Sequence, residues 1–376
     1  MKNLIKSFIK LTYLFVTGIA YKKKPITAKT ILIIKPDGFG DYVLFRNYLY
    51  FLKQQPQFSS YSITLVGNVI WQEFASYFDG QVVDKFIWLN RKQFIKNICY
   101  RFKKIRQINQ IGYEVVLYPS YLRETIYGDS IARCVSARVK IASIGDIGYR
   151  PNIENMITNG IYSSIIAADT AKVSFEFYRN REFFTNWLGL PITTNLSLQF
   201  TGKRLLADNY IVLFIGASSK IRQWSVEYFL ALAELLYKHY QLKIVLAGQH
   251  GDLDGIDNLT AAEYLVNLVG KTSQLELVNL LRYAQFVISN ETVVPHLCVA
   301  LATPVFVLYN GNNYKRFSPY PVEMSAKYVA INHPFIDSNP EYYCYISNKN
   351  NYVTSLAMAD ITVDRVFNTI TATVVL

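Results

Sequence analysis

Anions are bound where backbone N–H groups, hydroxyls and cations converge, and one stretch near the C-terminus offers such a place. Phe286 to Ile288 are apolar and β-forming, Asn290, Glu291 and Thr292 follow as a polar turn, and the apolar run Leu297 to Leu301 then takes up helical spacing. A strand that turns directly into a helix sets free N–H groups and the positive end of the helix dipole on one lip. An anionic ligand belongs there. Glu291 can equally be read as the helix cap and His296 as a histidine satisfied within its helix.

Two further turns carry unusual chemistry. Gly216-Ala-Ser-Ser-Lys-Ile-Arg-Gln-Trp224 lies between the strand-like Tyr210 to Ile215 and an amphipathic helix from Ser225 to Tyr240. Gly216 and Ala217 leave backbone N–H groups accessible, while Ser218, Ser219, Lys220 and Arg222 add hydroxyls and charge, a combination suited to a diphosphate. After the next strand, Gly248-Gln-His-Gly-Asp252 is either a plain polar loop or a place where Asp252 binds ribose hydroxyls. Near the N-terminus, Lys35-Pro-Asp-Gly-Phe-Gly-Asp41 follows a strand. Gly38 and Gly40 allow a tight turn and close approach of a ligand, and Asp41 heads the next helix, where an N-cap would also stand. The glycine spacing is neither a dinucleotide fingerprint nor a P-loop. Pro119 to Glu124 also follows a strand, so Ser120 and Arg123 can face the same side as Asp41.

The elements that position these turns alternate regularly. Strands are expected at Lys29–Ile34, Ser62–Val66, Val82–Trp88, Val115–Leu117, Tyr210–Ile215, Lys243–Ala247 and Val305–Leu308, with helices between them, including Tyr42–Leu52, a basic helix Arg91–Gln110, Phe175–Leu188 and a last helix from Asp360 to Ile370. Thr272 or Ser273 is the expected cap of a helix that follows Val269-Gly-Lys271. Such alternation implies parallel sheets with helices on both faces.

A chain of 376 residues has room for two domains, and 51% hydrophobic residues with 29 Tyr and 23 Phe imply packed cores. The polar stretch from Gly189 to Asn209 lacks helical periodicity and is the expected boundary. This gives a basic amphipathic segment at 1–28, a first α/β domain at 29–190, a second at 205–350 and a C-terminal helix within 351–376 that can cross back to the first domain. Cys99, Cys134, Cys298 and Cys344 form no Cys-x-x-Cys pair and have no His at ligand spacing, so the reading has no metal site and a reducing compartment.

A net charge of +12 calls for an acidic partner, and the lysines and arginines crowd residues 2–24 and 91–106. No nucleic-acid motif accompanies them, so nucleic acid is set aside. An anionic membrane surface or a phosphorylated substrate remains. Leu4, Ile5, Phe8, Leu11 and Phe15 fall on one face of an N-terminal helix with lysines between, which suits a helix lying on an anionic membrane. The run is shorter than the roughly 20 residues a spanning helix needs. A helix packed on the domain and a signal peptide ending near Gly18-Ile-Ala20 are the alternatives.

Taken together, these stretches resemble the heptosyltransferase-like glycosyltransferases of family 9. The resemblance covers about residues 30–370 and is carried by Ile31 to Asp41 with its closing Gly-Asp, by Gly216-Ala to Arg222-Gln-Trp224, by Val269-Gly-Lys-Thr-Ser-Gln-Leu, and by Asn290-Glu-Thr to His296 with Ala300-Leu-Ala-Thr-Pro304. It implies a GT-B fold, α/β, with two facing Rossmann-like domains and a C-terminal helix. It further implies inverting, metal-independent transfer of a heptose or other hexose-like sugar from a nucleotide diphosphate-sugar, with no cofactor and with ADP-heptose as one candidate donor.

On the same resemblance Asp41 is the general base, and Gly38, Gly40, Ser120 and Arg123 lie on the acceptor side. Gly216, Ala217, Ser218, Ser219 and Arg222 hold the diphosphate, Glu291, Thr292 and His296 the donor sugar or phosphate, and Gly270 and Lys271 the base through their backbone. The acceptor is an acidic glycolipid or lipopolysaccharide-core saccharide, and the enzyme sits in the cytoplasm on the inner face of the inner membrane. Four positions depart from the family's pattern: Arg222 stands for the usual Lys, Glu291 for the common Asp, Val293 for Gly, and Ile215 where His or Pro is frequent. The donor need not be a heptose. The alternative is a catalytically silent nucleotide-sugar-binding or scaffold protein of the same fold.

Overall fold

The computed structural model describes residues 2–146, 152–170, 173–253, 262–350 and 352–375. The chain divides into two compact units, Met1–Lys172 with Glu176–Asn195, and Val173–Phe175 with Leu196–Leu376. Each is built on one six-stranded sheet in which every pair of strands is parallel.

In the first unit the strands are β1 (Ile26–Lys35), β2 (Ser62–Asn68), β3 (Lys85–Leu89), β4 (Gly112–Tyr118), β5 (Ala137–Ser143) and β6 (Ser164–Ile166), in the order β3-β2-β1-β4-β5-β6. Strands covered on both faces read as continuous apolar runs, and Ile31 to Ile34 of β1 are all fully buried. The order reverses between β1 and β4. At such a switch point the loops leaving the carboxyl ends diverge to opposite faces and open a crevice for ligands.

The second unit repeats the plan with β7 (Tyr210–Phe214), β8 (Lys243–Ala247), β9 (Leu265–Asn267), β10 (Val287–Asn290), β11 (Val305–Tyr309) and β12 (Tyr328–Asn332), ordered β12-β11-β10-β7-β8-β9. Its reversal falls between β7 and β10. Ile211, Leu213, Ile288 and Phe306 fill the core beneath it. Helix Val363–Thr373, capped by Thr362, packs in this unit through Val366 and Ile370.

Two expected helices are broken. Between Arg91 and Gln110 the chain turns extended at Asn97, whose side chain accepts the Tyr100 N–H and caps a second helix, Ile98–Ile108, after Arg91–Lys96. Similarly, Tyr42–Leu52 is not continuous but comprises α2 (Phe39–Val43) and α3 (Asn47–Gln54), with a turn between. The N-terminal segment forms α1 (Lys2–Thr17), which packs inward through Leu14 and Thr17 while Phe8 and Phe15 stay exposed and Leu11 is half-buried. The side chains of Leu4 and Ile5 lie outside the described residues.

Trp224 closes the turn after β7. It is fully buried, its indole N–H donates to the Ile361 carbonyl at 2.8 Å, and its ring meets Tyr228 and Phe229 edge-on. Removing an aromatic ring from such a site costs about 3–5 kcal/mol. Trp224→Ala should lower the urea midpoint of the second unit accordingly, with Trp224→Phe losing markedly less. Equal losses from the two variants would assign the contribution to the hydrogen bond and not to packing.

Candidate functional site

Because β10, β7, β8 and β9 lie side by side, the turns after them line up along one carboxyl edge. They bring Glu291 and Thr292, then Gly216 to Arg222, then Gly248 to Asp252, then Gly270 and Lys271 into that row. Asn290 joins the first two turns. Fully buried, its amide N–H₂ donates to Ile215 O at 2.9 Å and Gly216 O at 3.3 Å, and its carbonyl accepts the Trp224 N–H at 3.0 Å.

On this frame Arg222 reaches Glu291, with Nη1 to Oε2 at 2.6 Å, while Nη2 donates to the Ser218 hydroxyl. The Arg222 Nε is buried and without a partner. Burial raises the Glu291 carboxyl above the ordinary carboxylate range, with the adjacent guanidinium opposing it. Glu291 is therefore not the helix cap. Thr292 holds that position, its hydroxyl accepting the Val294 N–H at 3.2 Å at the head of helix Val293–Leu301.

His296 lies inside that helix, 3% exposed, with Nδ1 2.6 Å from the Tyr320 hydroxyl. Burial and then the nearby Arg222 lower its pKa to about 3, so it is a neutral hydrogen-bonding group and not a cation for a phosphate. Ser218 and Ser219 are exposed, and Ala217 is half-buried. A Cβ on Gly216 would stand 2.3 Å from Asp252 Oδ2, so the small residue is what lets this carboxylate approach the turn. Asp252 also accepts the Gln249 N–H at 2.6 Å. Gly270 holds a left-handed φ of 70° and its N–H donates to Gly248 O at 3.0 Å, while the exposed Lys271 folds back onto Asn267 O.

The first unit has its own charged edge at the β1/β4 switch. Lys35 closes β1 fully buried, 2.7 Å from Asp37 and 3.4 Å from the Ser120 hydroxyl. Burial works to lower the Lys35 pKa, but the carboxylates of Asp37, Glu176 and Asp41 outweigh it and hold the ammonium charged. Ser120 donates to Asp37 at 2.5 Å. Asp41 is not the N-cap. That position is Gly38, and Asp41 stands at the third position of α2, its Oδ2 at 2.8 Å from where a Gly38 Cβ would be. Gly40 lies between them in the same turn.

Arg123 has partners of its own. Its guanidinium is buried against Asp129 at 3.0 Å, Ser143 O at 3.0 Å and Asn159 Oδ1 at 2.8 Å, with the Tyr162 hydroxyl on the same Asp129. The structure thus engages Arg123 with Asp129, Ser143 and Asn159, whereas it joins Ser120 to the Lys35–Asp37 pair.

Residues 178–335 match the sequence profile of glycosyltransferase family 9 (heptosyltransferase). Over this stretch, which holds strands β7 to β12, the chain resembles glycosyltransferase family 9. It is similar in structure to the E. coli heptosyltransferase WaaC solved with ADP-2-deoxy-2-fluoro heptose, at 17% identity and a TM-score of 0.67 over 92% of this chain and 100% of that one. A family 9 glycosyltransferase from Veillonella parvula superposes at 18% identity and a TM-score of 0.70, covering 93% and 98% of the two chains. The E. coli ADP-heptose lps heptosyltransferase II does so at 16% identity and 0.65, covering 91% and 98%. No curated protein matches the sequence. At these identities the structural likeness speaks to the fold, and the fold is GT-B.

The chain carries polar and charged residues to which the sequence reading gave no role of their own. Lys35 and Asp37 stand unremarked inside the Lys35–Asp41 turn, Glu176 lies far along the chain, and Asn290 is an ordinary turn residue until its amide is seen spanning two loops. A lysine closing an otherwise apolar buried strand is the one signal that marks Lys35 in advance. Among the described residues no group of three or more His, Cys, Asp or Glu side chains is placed to hold a metal ion.

Two outcomes follow from these burials. Arg123→Met leaves Asp129 buried without its cation, which costs about 3–5 kcal/mol. Urea unfolding should show that loss for the first unit, and the double variant with Asp129→Asn should recover part of it; a neutral single variant would release Arg123 for a ligand. For His296, the unfolded imidazole binds a proton below its ordinary value near 6.5 and the folded one only near 3. Between those values the unfolded chain holds more protons, so stability rises with pH by up to about 1.4 kcal/mol per pH unit from this group. His296→Gln should flatten the pH dependence of the unfolding midpoint in that window.

Proposed function

We propose that this glycosyltransferase moves a sugar from a nucleotide diphosphate-sugar to a lipid-linked, lipopolysaccharide-type saccharide, with inversion and without a metal. The observation that carries the donor half is the Arg222, Ser218 and Glu291 cluster at the β7/β10 switch, beside the head of helix Val293–Leu301. Arg222 with Ser218, Ser219 and the N–H groups from Gly216 and Ala217 takes the diphosphate. Thr292 and Glu291 face the sugar or its phosphate, neutral His296 backs them, Asp252 takes the ribose, and the backbone of Gly270 and Lys271 takes the base.

In the first unit Asp41 accepts the proton of the acceptor hydroxyl, whose oxygen forms the new bond to the anomeric carbon. The bond to the donor diphosphate breaks, and its electron pair leaves with the nucleoside diphosphate, stabilised by Arg222 and the helix terminus. Gly38 and Gly40 let the acceptor approach the backbone, and Ser120 with Lys35 and Asp37 orders the floor on which it rests. One heptosyltransferase of similar fold, the E. coli WaaC, is solved with ADP-2-deoxy-2-fluoro heptose, which supports ADP-heptose as one donor to try. Glu291 and Val293 alter the sugar side of the pocket, so other nucleotide-sugars are tried beside it. An acidic glycolipid acceptor and the net charge of +12 support work in the cytoplasm, peripheral on the inner membrane face.

Calorimetry with ADP-, GDP-, UDP- and CDP-sugars tests the donor half. One nucleotide should bind selectively without added metal, and Arg222→Ala should weaken it by about 10- to 100-fold, as expected for lost charge-assisted contacts. Arg222→Lys serves as the folding control, because Arg222→Ala strips Glu291 of its counter-charge. Asp41→Ala should lower turnover by about 10²- to 10⁴-fold with donor affinity kept. Unchanged turnover would remove Asp41 as the base, and no binding by folded protein would remove the donor site.

A further inference from the structure

We propose that α1 docks the first unit onto an anionic lipid bilayer through an exposed apolar ridge set in a basic surface. This extends the peripheral reading above by naming the surface, and it stands on two observations. The first is the ridge. With Leu14 and Thr17 turned inward, the opposite side of the helix and its continuation presents Phe8, Thr12, Phe15 and Ile19, at steps of four, three and four residues. Phe8 is 73% exposed, Phe15 52% and Ile19 75%, with Ile9 beside them at 49%. The row runs about 16 Å along the surface. Arg133 lies 4.5 Å from the Phe15 ring and braces it from below.

The second observation is charge. Residues 1–36 hold eight lysines and no acidic residue, and residues 85–113 hold eight lysines and arginines and again no acidic residue. The fold packs these two stretches together. Tyr13 donates to Ile95 O at 3.0 Å, Arg101 Nε to the Thr17 hydroxyl at 2.6 Å, and the Asn109 amide to Lys22 O at 2.6 Å. Arg101 and Lys35 are buried, and Lys10 is paired with Glu154 at 3.3 Å. Lys22, Lys23, Lys92, Lys96, Lys103 and Arg106 remain exposed.

An apolar row bordered by cations matches the boundary between acyl chains and anionic headgroups. A second copy of the chain fits poorly. The ridge side chains offer well under the about 800 Å² per partner of a stable interface, and the like-charged borders would repel. Nucleic acid would use the cations but leave exposed phenylalanines unexplained.

The test is flotation of the full chain with vesicles of phosphatidylcholine alone and with about one-third phosphatidylglycerol, at low and high salt. Binding should need the anionic lipid and fall with salt. Phe8→Ser with Phe15→Ser should weaken it at least tenfold, and Lys22→Glu with Lys23→Glu should weaken it by about fivefold or more for each lysine. Both pairs are exposed, and donor affinity measured on the same samples should not change. No binding to anionic vesicles, or binding that the phenylalanine changes leave intact, overturns the proposal. So does a concentration-dependent dimer abolished by those changes, or a mixed-sequence oligonucleotide that displaces the vesicles. Loss of donor binding in the wild type would strike the transferase site and leave the docking surface standing.

Discussion

Much of the arrangement at the β7/β10 switch depends on one side-chain amide. Asn290 ends a fully buried strand, so its polar atoms must find partners within the protein, and the partners in reach are main-chain groups of the neighbouring turn. Satisfying itself, Asn290 ties both ends of the Gly216–Trp224 turn to β10. Ser218 and Arg222, which lie between those tied ends, are thereby held over Glu291. An isosteric carboxylate could accept from Trp224 N–H but could not donate to the two carbonyls, so the residue type is set by hydrogen-bond direction as much as by shape.

The two units solve a similar electrostatic problem in different ways. In each, a cation at the switch point is kept among carboxylates before any ligand arrives. Lys35 in the first unit is fully enclosed and faces Asp37, Glu176 and Asp41, so its charge serves to hold carboxylates in place. Arg222 in the second is partly accessible and retains an unused Nε, which is what the proposed diphosphate site would draw on. A buried ion pair of this kind adds little net stability, since desolvation offsets attraction. Its value lies in fixing where each charge waits.

The strand-turn-helix grammar was legible in the sequence because parallel strands buried on both faces are written as apolar runs, and Lys243–Ala247 appears in the structure with the bounds its run of residues suggests. Capping was half legible. Ser225 and Ser273 cap as their positions imply, the latter in a reciprocal capping box with Glu276. Asp41 and Glu291, which composition alone equally allowed as caps, do not cap, because Gly38 and Thr292 occupy those positions. The break at Asn97 was hidden, since an asparagine within a basic periodic run signals no stop until the chain around it is seen to turn. Long-range partners were not legible at all. Arg123 and Asp129 are six residues apart, yet Asn159, Ser143 and Tyr162, which complete the network, are brought in only by the closure of β5 and the elements after it.

Two departures from the family's pattern gain a physical reading once they are seen in contact. Arg222 in place of lysine and Glu291 in place of aspartate meet at 2.6 Å, so they form one altered pair rather than two independent changes. A guanidinium presents several donors in a fixed plane, which lets Arg222 hold Ser218 and Glu291 at once, whereas an ammonium is a compact charge without that fork. The longer carboxylate moves the acceptor oxygens further from β10 and into the path of that fork. On the proposed donor reading, a diphosphate arriving at Arg222 competes with Glu291 for the same donors, and the buried carboxylate it displaces takes hydroxyl donors from the sugar instead. On that reading, donor choice rests on how well a sugar replaces the guanidinium as the partner of Glu291.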